Sequence, residues 1–85
     1  MQIYVVLVGD RLMNWWDGDG TTVILEDLNP WDPIWLVMQK IFINLIGIWP
    51  GDQTLYFAGQ DITNVGTLEE WNIMDQDTLY LYQGL

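Results

Sequence analysis

The chain has 85 residues, of which 51% are hydrophobic and only 16% charged, and it contains neither cysteine nor histidine. A single small domain is expected at this length, and the missing residue types exclude disulfides, thiolate nucleophiles, histidine-based catalysis and cysteine or histidine zinc sites. The net charge is −10, from 12 acidic residues against Lys40 and Arg11. This charge makes nucleic acid and anionic membranes poor partners and basic protein surfaces suitable ones. The simpler explanation, which we favour, is that the acids keep an unusually apolar domain in solution.

The N-terminal third of the chain predicts a β-hairpin. Residues 2–8 and 21–28 are rich in β-branched and aromatic side chains, which favour strands. The stretch between them, about residues 9–20, is long for a hairpin connection. Its Trp15-Trp16 pair either anchors a partner or, as we favour, folds back on the open end of the sheet. Its Asp17-Gly18-Asp19-Gly20 run is typical of a turn and lacks the further ligands of a calcium loop.

A helix is predicted next, with Asp32 as its N-cap, Pro33 at its first position and Gly47 placed to end it. At about 100° per residue, one helix face carries an apolar stripe that should pack on the sheet: Ile34, Val37, Met38, Ile41 and Leu45. The opposite side of such a helix should be polar. Here it carries four apolar residues, Trp35, Leu36, Ile43 and Ile46. We call these four the outer helix face and regard it as a second candidate interface, with a partner protein or through self-association.

Two more strands are predicted in the C-terminal half, at residues 54–58 and 77–82. Between them we expect Ile62 to be a buried anchor and Thr67 to cap a brief helical turn. The order strand, strand, helix, strand, short connection, strand predicts one α+β domain over residues 1–85, with the helix on one sheet face. The apolar stretch from Ile34 to Trp49 is interrupted by polar residues and is too short to span a membrane. No signal peptide is visible, and together with the absence of cysteine this favours a cytoplasmic location.

Several segments of the chain resemble ubiquitin. The opening Met1-Gln2-Ile3-Tyr4-Val5 is similar to the ubiquitin N-terminus. The more specific resemblance runs from Ile48 to Leu81 at ubiquitin's own spacings, through Leu55-Tyr56-Phe57-Ala58-Gly59, Thr67-Leu68, Trp71-Asn72-Ile73 and Thr78-Leu79-Tyr80-Leu81. Asn29-Pro30 and Ile34, Val37, Lys40 and Ile41 match more loosely. The resemblance covers nearly the whole chain except about residues 9–20, which look like an insertion in the first hairpin. It implies a β-grasp fold, in which a mixed sheet of four or five strands wraps around one helix.

The departures from the family pattern argue against conjugation. Members of the family end in an arginine-bearing tail with two glycines, whereas this chain ends in Gln83-Gly84-Leu85. Gln60 and Asp75 stand where the family has its main chain-linking lysines, and Lys40 alone remains. Thr54 and Gly84 replace arginines that family members use to meet the activating enzyme. The resemblance therefore implies a domain that binds proteins without being joined to them.

The family's main recognition surface is a small apolar patch on the outer side of the sheet. The resemblance places this patch at Val8, Tyr56, Gly59, Tyr80 and Tyr82. Strand alternation agrees, because Tyr56, Tyr80 and Tyr82 should point away from the buried leucines beside them. Tyrosine suits interfaces, since it offers a large rigid surface with a polar tip. The alternative, to which we give equal weight, is that the tyrosines only form cross-strand pairs on an exposed strand surface.

Two functional interpretations stay open at this point. The first is a non-catalytic ubiquitin-like protein-binding module, without catalytic, cofactor-binding or metal-ligating residues. The second is an engineered or computationally redesigned ubiquitin-type scaffold with no biological activity. Six tryptophans, no histidine and two basic residues favour the second interpretation, whereas the long inserted loop argues against a redesign on an unchanged backbone. A small enzyme has little support, because a domain of this size has little room for a cleft.

Overall fold

The computed structural model describes residues 1–8, 19–44, 49, 51 and 53–83. Its elements, in chain order, are β1 (Ile3–Val8), β2 (Asp19–Leu25), α1 (Ile34–Asn44), β3 (Gln53–Phe57), β4 (Gln60–Asp61), a short 3-10 helix (Glu69–Trp71) and β5 (Thr78–Gln83). The predicted insertion therefore overlaps the start of β2, and the rest of it, residues 9–18, lies outside the described residues. So do Leu45, Ile46 and Gly47 of the predicted helix and the terminal Gly84-Leu85.

The five strands form one mixed sheet in the order β2-β1-β5-β3-β4. The first and last strands run parallel at its centre, with Val5 beside Leu79, and the other neighbouring pairs are antiparallel. The inward side chains of this sheet share one core with those of helix α1. Over the described residues, one α-helix packed against a five-stranded mixed sheet is a β-grasp-like arrangement, so the predicted fold class is confirmed.

One hydrophobic core lies between the sheet and the helix. It includes six residues from five parts of the chain that are all 0% exposed: Ile3, Val5, Ile41, Leu55, Leu68 and Leu79. Helix α1 contributes the predicted stripe of Ile34, Val37, Met38 and Ile41. The predicted anchor Ile62 is likewise fully buried. Burial alternates along β1, as expected for a strand with one face on the core and one face outward.

The start of helix α1 differs from the predicted capping. The carboxylate of Asp32 accepts a hydrogen bond from the backbone N–H of Asn29 at 2.9 Å, instead of capping the helix. The N–H of Ile34 is satisfied by the carbonyl of Gly66 at 2.9 Å, and the N–H of Leu68 donates to the carbonyl of Asp32 at 3.0 Å. The helix start is thus tied to the segment around Gly66, which takes over part of the role of a side-chain cap.

The cap predicted at Thr67 is confirmed. The hydroxyl oxygen of Thr67 accepts a bond from the N–H of Glu70 at 3.3 Å, and the carboxylate of Glu70 accepts one from the N–H of Thr67 at 2.9 Å. This reciprocal pair is a capping box, which satisfies two backbone donors at the start of a helical turn. In the described part of the chain, no helix combines the length and the apolarity that crossing a membrane requires.

Candidate protein-binding face

Strand β5 divides its side chains between the core and the outside. Leu79 and Leu81 point inward and are 0% exposed, whereas Tyr80 and Tyr82 point outward and are 45% and 43% exposed. This alternation follows from the pleat of a strand. The outward direction predicted for both tyrosines is therefore what the structure shows.

The sheet register brings four of the five predicted site residues together. Tyr80 lies opposite Tyr56 of β3, and Tyr82 lies beside Val8 of β1. The rings of Tyr56 and Tyr82 meet edge to face, with their centroids 5.2 Å apart. We refer to these four residues, Val8, Tyr56, Tyr80 and Tyr82, as the tyrosine face.

The fifth predicted residue, Gly59, lies at the end of the β3–β4 hairpin. It forms the turn with Ala58, and both have positive φ values, of 53° for Ala58 and 78° for Gly59. Positive φ at both central residues is typical of a type I′ turn, which matches the twist of the adjoining strands. Gly59 is exposed and has open space where a side chain would lie. It therefore borders the tyrosine face through the hairpin turn and adds only backbone to it.

The outward surface extends beyond the predicted residues. Val6 lies beside Tyr80, and Tyr4 lies opposite Ile24 of strand β2. Ile24 is half exposed, whereas the hydroxyl of Tyr4 donates to the side-chain oxygen of Gln76 at 2.9 Å. Burial alternates along β1, with Ile3, Val5 and Leu7 buried, and this alternation could have identified Tyr4 and Val6 as outward-facing residues of the same surface.

A carboxylate borders the tyrosine face. Asp61 is paired with Tyr56 across the β3–β4 hairpin. Hydrogen bonds from the Thr63 hydroxyl and from the Thr63 backbone N–H lower the pKa of Asp61 below its ordinary value. The backbone bond is 2.9 Å long. Among the described residues, the two basic groups are the N-terminal amine and Lys40 of helix α1, and neither belongs to the face. The face therefore combines aromatic and aliphatic surface with phenol hydroxyls and a negative charge.

The outer helix face was predicted as a second candidate interface. Its described side chains differ in how much of their surface is exposed to solvent. Trp35 is 50% and Ile43 is 71% exposed, whereas Leu36 is half-buried. Ile46 lies outside the described residues. Sequence reasoning missed two further exposed tryptophans near this helix, Trp31 and Trp49, which are 65% and 62% exposed.

The described residues hold no group of three or more histidine, cysteine, aspartate or glutamate side chains that could bind a metal ion. The predicted Asp17-Gly18 part of the turn-like acidic run lies outside the described residues. Neither the models of known protein families nor the curated proteins include a match to this sequence. The arrangement of residues therefore carries the functional argument.

Proposed function

We propose that this chain is a ubiquitin-like protein-binding module that is neither an enzyme nor a conjugated modifier. The observation that carries the proposal is the tyrosine face, where Tyr80 and Tyr82 are nearly half exposed on the outer side of a β-grasp-like sheet. The resemblance to the ubiquitin family supports the proposal, because these positions match the family's main recognition patch. Aromatic residues that stand close together on a rigid sheet are well suited to dominate a binding energy.

The chemistry of the face indicates which partner it fits. The tyrosine rings offer apolar contact, their hydroxyls offer hydrogen bonds, and Asp61 beside Tyr56 offers a negative charge. A cationic side chain on the partner would gain from both the carboxylate and the aromatic rings. The net charge of −10 would also attract a basic protein during diffusional encounter. We therefore propose a partner that presents an apolar segment flanked by lysine or arginine.

A displayed peptide library selected on the immobilised domain tests this function. Binders should be enriched in apolar residues next to lysine or arginine, and their affinity should fall at least about tenfold on Tyr80→Ala or Tyr82→Ala. Trp31→Ala is the matched control, since Trp31 is exposed but belongs to a turn before helix α1. Binding that depends on Trp31 and tolerates loss of both tyrosines would refute the assignment to the tyrosine face.

The non-conjugating part of the proposal rests on residue identities. Gln60 and Asp75 are exposed where the resemblance would have lysines, and Thr54 of β3 replaces an arginine. The tail, Gly84-Leu85, lies outside the described residues. Incubation with a ubiquitin-activating enzyme and ATP should give no thioester. A thioester at the C-terminus would overturn this part of the proposal while leaving the tyrosine face untouched.

A redesigned scaffold without biological activity is the second candidate. It is favoured by the composition, with six tryptophans and two basic residues, and by the absence of a matching family model. Peptide selection separates the two candidates. A scaffold should yield no sequence that binds the domain more tightly than it binds the Tyr80→Ala and Tyr82→Ala variants.

A further inference from the structure

A recess lies where the start of the chain meets the loop that leads into β5. It has a volume of about 360 Å³, within the range of ligand pockets in proteins. Its lining includes four apolar residues, Met1, Pro30, Ile73 and Met74, and two acids, Glu69 and Asp75. We call it the N-terminal recess, and we propose that it binds a lysine side chain of a partner protein.

The apolar wall of the N-terminal recess suits an unbranched aliphatic chain. Ile73 is 3% exposed and Met74 is 66% exposed, so the wall reaches from the core out to solvent. Methionine side chains are flexible and adapt to the group that lies against them. A lysine can lay its four methylene groups along such a wall and keep its ammonium group at the wet rim.

The two carboxylates of the recess supply the charge that an ammonium group requires. One oxygen of Asp75 accepts the backbone N–H of Gln2 at 2.6 Å, and no described residue donates a hydrogen bond to the carboxylate of Glu69. The ammonium group of Met1 donates to the carbonyl of Leu28 at 2.7 Å and forms an ion pair with neither of these two acids. Both carboxylates are therefore available to a cation from a partner. The net charge of −10 adds a long-range attraction for it.

The same contacts favour lysine over arginine as the occupant. A guanidinium group binds best to both oxygens of one carboxylate or flat against an aromatic ring. One oxygen of Asp75 is engaged within the domain, and the described residues that line the recess include no aromatic side chain. A compact ammonium group needs only one oxygen from each carboxylate. The lining therefore fits lysine better than arginine.

Hydrogen bonds hold the lining of the recess in place. The N–H of Met74 donates to the carboxylate of Asp77 at 2.8 Å. The N–H of Glu69 donates to the carbonyl of Pro30 at 2.8 Å, which joins two segments that both line the recess. A binding site that is formed in advance loses less entropy when its ligand enters.

NMR titration of the intact chain with N-acetyl-lysine-N-methylamide tests the proposal, since this probe carries one lysine side chain on a peptide-like backbone. Signals of Met74 and Asp75 should shift and saturate, with a dissociation constant of about 1–10 mM for a ligand of this size. The norleucine analogue keeps the aliphatic stem but lacks the ammonium group, so it should bind at least about tenfold more weakly. The arginine analogue should also bind more weakly than the lysine probe. The ionic strength is held constant throughout, because salt screens the attraction.

Substitutions separate the two carboxylates of the recess from the general acidity of the chain. Asp75→Asn keeps an oxygen that can accept the same backbone N–H, and combined with Glu69→Gln it should weaken binding of the lysine probe at least about tenfold. Glu26→Gln removes one charge from a different recess, of about 300 Å³, that is also lined by Ile43 and Lys40. This variant should leave the dissociation constant unchanged. The signals of Ile43 give a control within the wild type, since they should not saturate with the probe.

Four outcomes would overturn the proposal. The first is the absence of saturable shifts at Met74 and Asp75 up to about 50 mM of the lysine probe. The others are equal dissociation constants for the lysine and norleucine probes, tighter binding of the arginine probe, and equal weakening by Glu26→Gln and by the double variant. None of these results involves the tyrosine face, so this proposal and the proposed function can fail separately.

Discussion

The ring of Tyr82 meets the ring of Tyr56 edge to face, with the ring planes at 73° and the centroids 5.2 Å apart. The two residues are diagonal neighbours, because Tyr56 is paired with Tyr80 and Thr54 with Tyr82. Edge-to-face contact is a favoured geometry for aromatic pairs. Each ring therefore restricts the other, which lowers the entropy lost when a partner binds. The tyrosine face is thus ordered in advance by a contact within the domain.

A double-mutant cycle measures this contact. Tyr56→Ala, Tyr82→Ala and the double variant should give a coupling of about 0.5–1.5 kcal/mol in the free energy of unfolding, measured by urea denaturation. A cycle between Tyr56 and Ile24 is the control. Those residues lie on β3 and β2, with two strands between them, so their coupling should be close to zero. Equal couplings in the two cycles would show that the ring contact contributes nothing of its own.

Two isoleucines on helix α1 give a second prediction. Ile41 is 0% exposed in the core, whereas Ile43, two positions later, is 71% exposed. Ile41→Ala should lower the free energy of unfolding by about 2–5 kcal/mol, because it leaves a cavity. Ile43→Ala should change it by at most about 0.5 kcal/mol. Urea denaturation at low micromolar concentration checks both. A comparable loss from Ile43→Ala would mean that this side chain is buried in solution.

The same pair shows why much of the fold could be predicted from sequence. Helical periodicity separates Ile41 from Ile43, and strand alternation separates Leu79 and Leu81 from Tyr80 and Tyr82, because both patterns follow from local backbone geometry. The role of Asp32 could not be predicted in this way. Whether Asp32 caps the helix depends on which other segment of the chain packs against the helix start. Here the carbonyl of Gly66 accepts the hydrogen bond from the N–H of Ile34, and Gly66 lies more than thirty residues away.

Parts of the candidate sites depended on contacts between distant segments. The sequence indicates that Tyr56 and Tyr82 share a face, but their ring contact needs the register of β3 against β5. A recess next to helix α1 is lined by Trp35 together with Gly51 and Asn64, and the last two lie on connections and carry no periodic signal. The stack of Trp49 on Phe42 is likewise outside any periodic pattern. Local rules thus predicted which side of each element is exposed, and tertiary contacts determined the shape of the surface.

The carboxylate of Asp61 gives a prediction about pH. Hydrogen bonds from the hydroxyl and the backbone N–H of Thr63 stabilise its ionised form and so lower its pKa. Thr63→Val removes the hydroxyl and keeps the backbone bond. The pKa of Asp61, followed by NMR titration of its side-chain carboxyl carbon, should therefore rise part of the way to the ordinary value of 3.8. Thr54→Val, on the adjacent strand β3, should leave that titration unchanged.

The lowered pKa also fixes the sign of the effect on stability. A carboxyl group whose pKa is lower in the folded chain stabilises the fold above its unfolded pKa, and this contribution is lost as the pH falls through the folded pKa. The wild type should therefore lose more stability than Thr63→Val as the pH falls from about 5, past 3.8 and then below the pKa of Asp61 in the folded chain. In the wild type, the hydroxyl oxygen of Thr63 also accepts a hydrogen bond from the N–H of Leu55 at 2.9 Å. Thr63→Val loses this bond as well, so the variant should be the less stable of the two proteins at neutral pH. If the free energy of unfolding fell in parallel with pH in the two proteins, the Thr63 hydroxyl would not be the cause of the lowered pKa of Asp61.

Two glycines with similar positive φ angles provide the last prediction. Gly59 and Gly66 have positive φ values of 78° and 71°, so Gly→Ala at either position should cost about 1–2 kcal/mol in the free energy of unfolding. Only at Gly66 is the added methyl crowded, at 3.2 Å from the Glu70 carboxylate. That carboxylate is held by the N–H of Thr67 in the capping box. Gly66→Ala should therefore cost about 1 kcal/mol more than Gly59→Ala.

Comparison in a Glu70→Ala background identifies the source of this difference. Without the carboxylate the methyl has no close neighbour on residue 70, so Gly66→Ala and Gly59→Ala should become nearly equal in cost. The other group that the methyl could displace is the indole nitrogen of Trp71, which lies 3.4 Å from the methyl position at Gly66 and donates to the carbonyl of Val65 at 2.7 Å. If the difference persists in the Glu70→Ala background, the strain lies in that indole contact and the capping box is not disturbed by the methyl group.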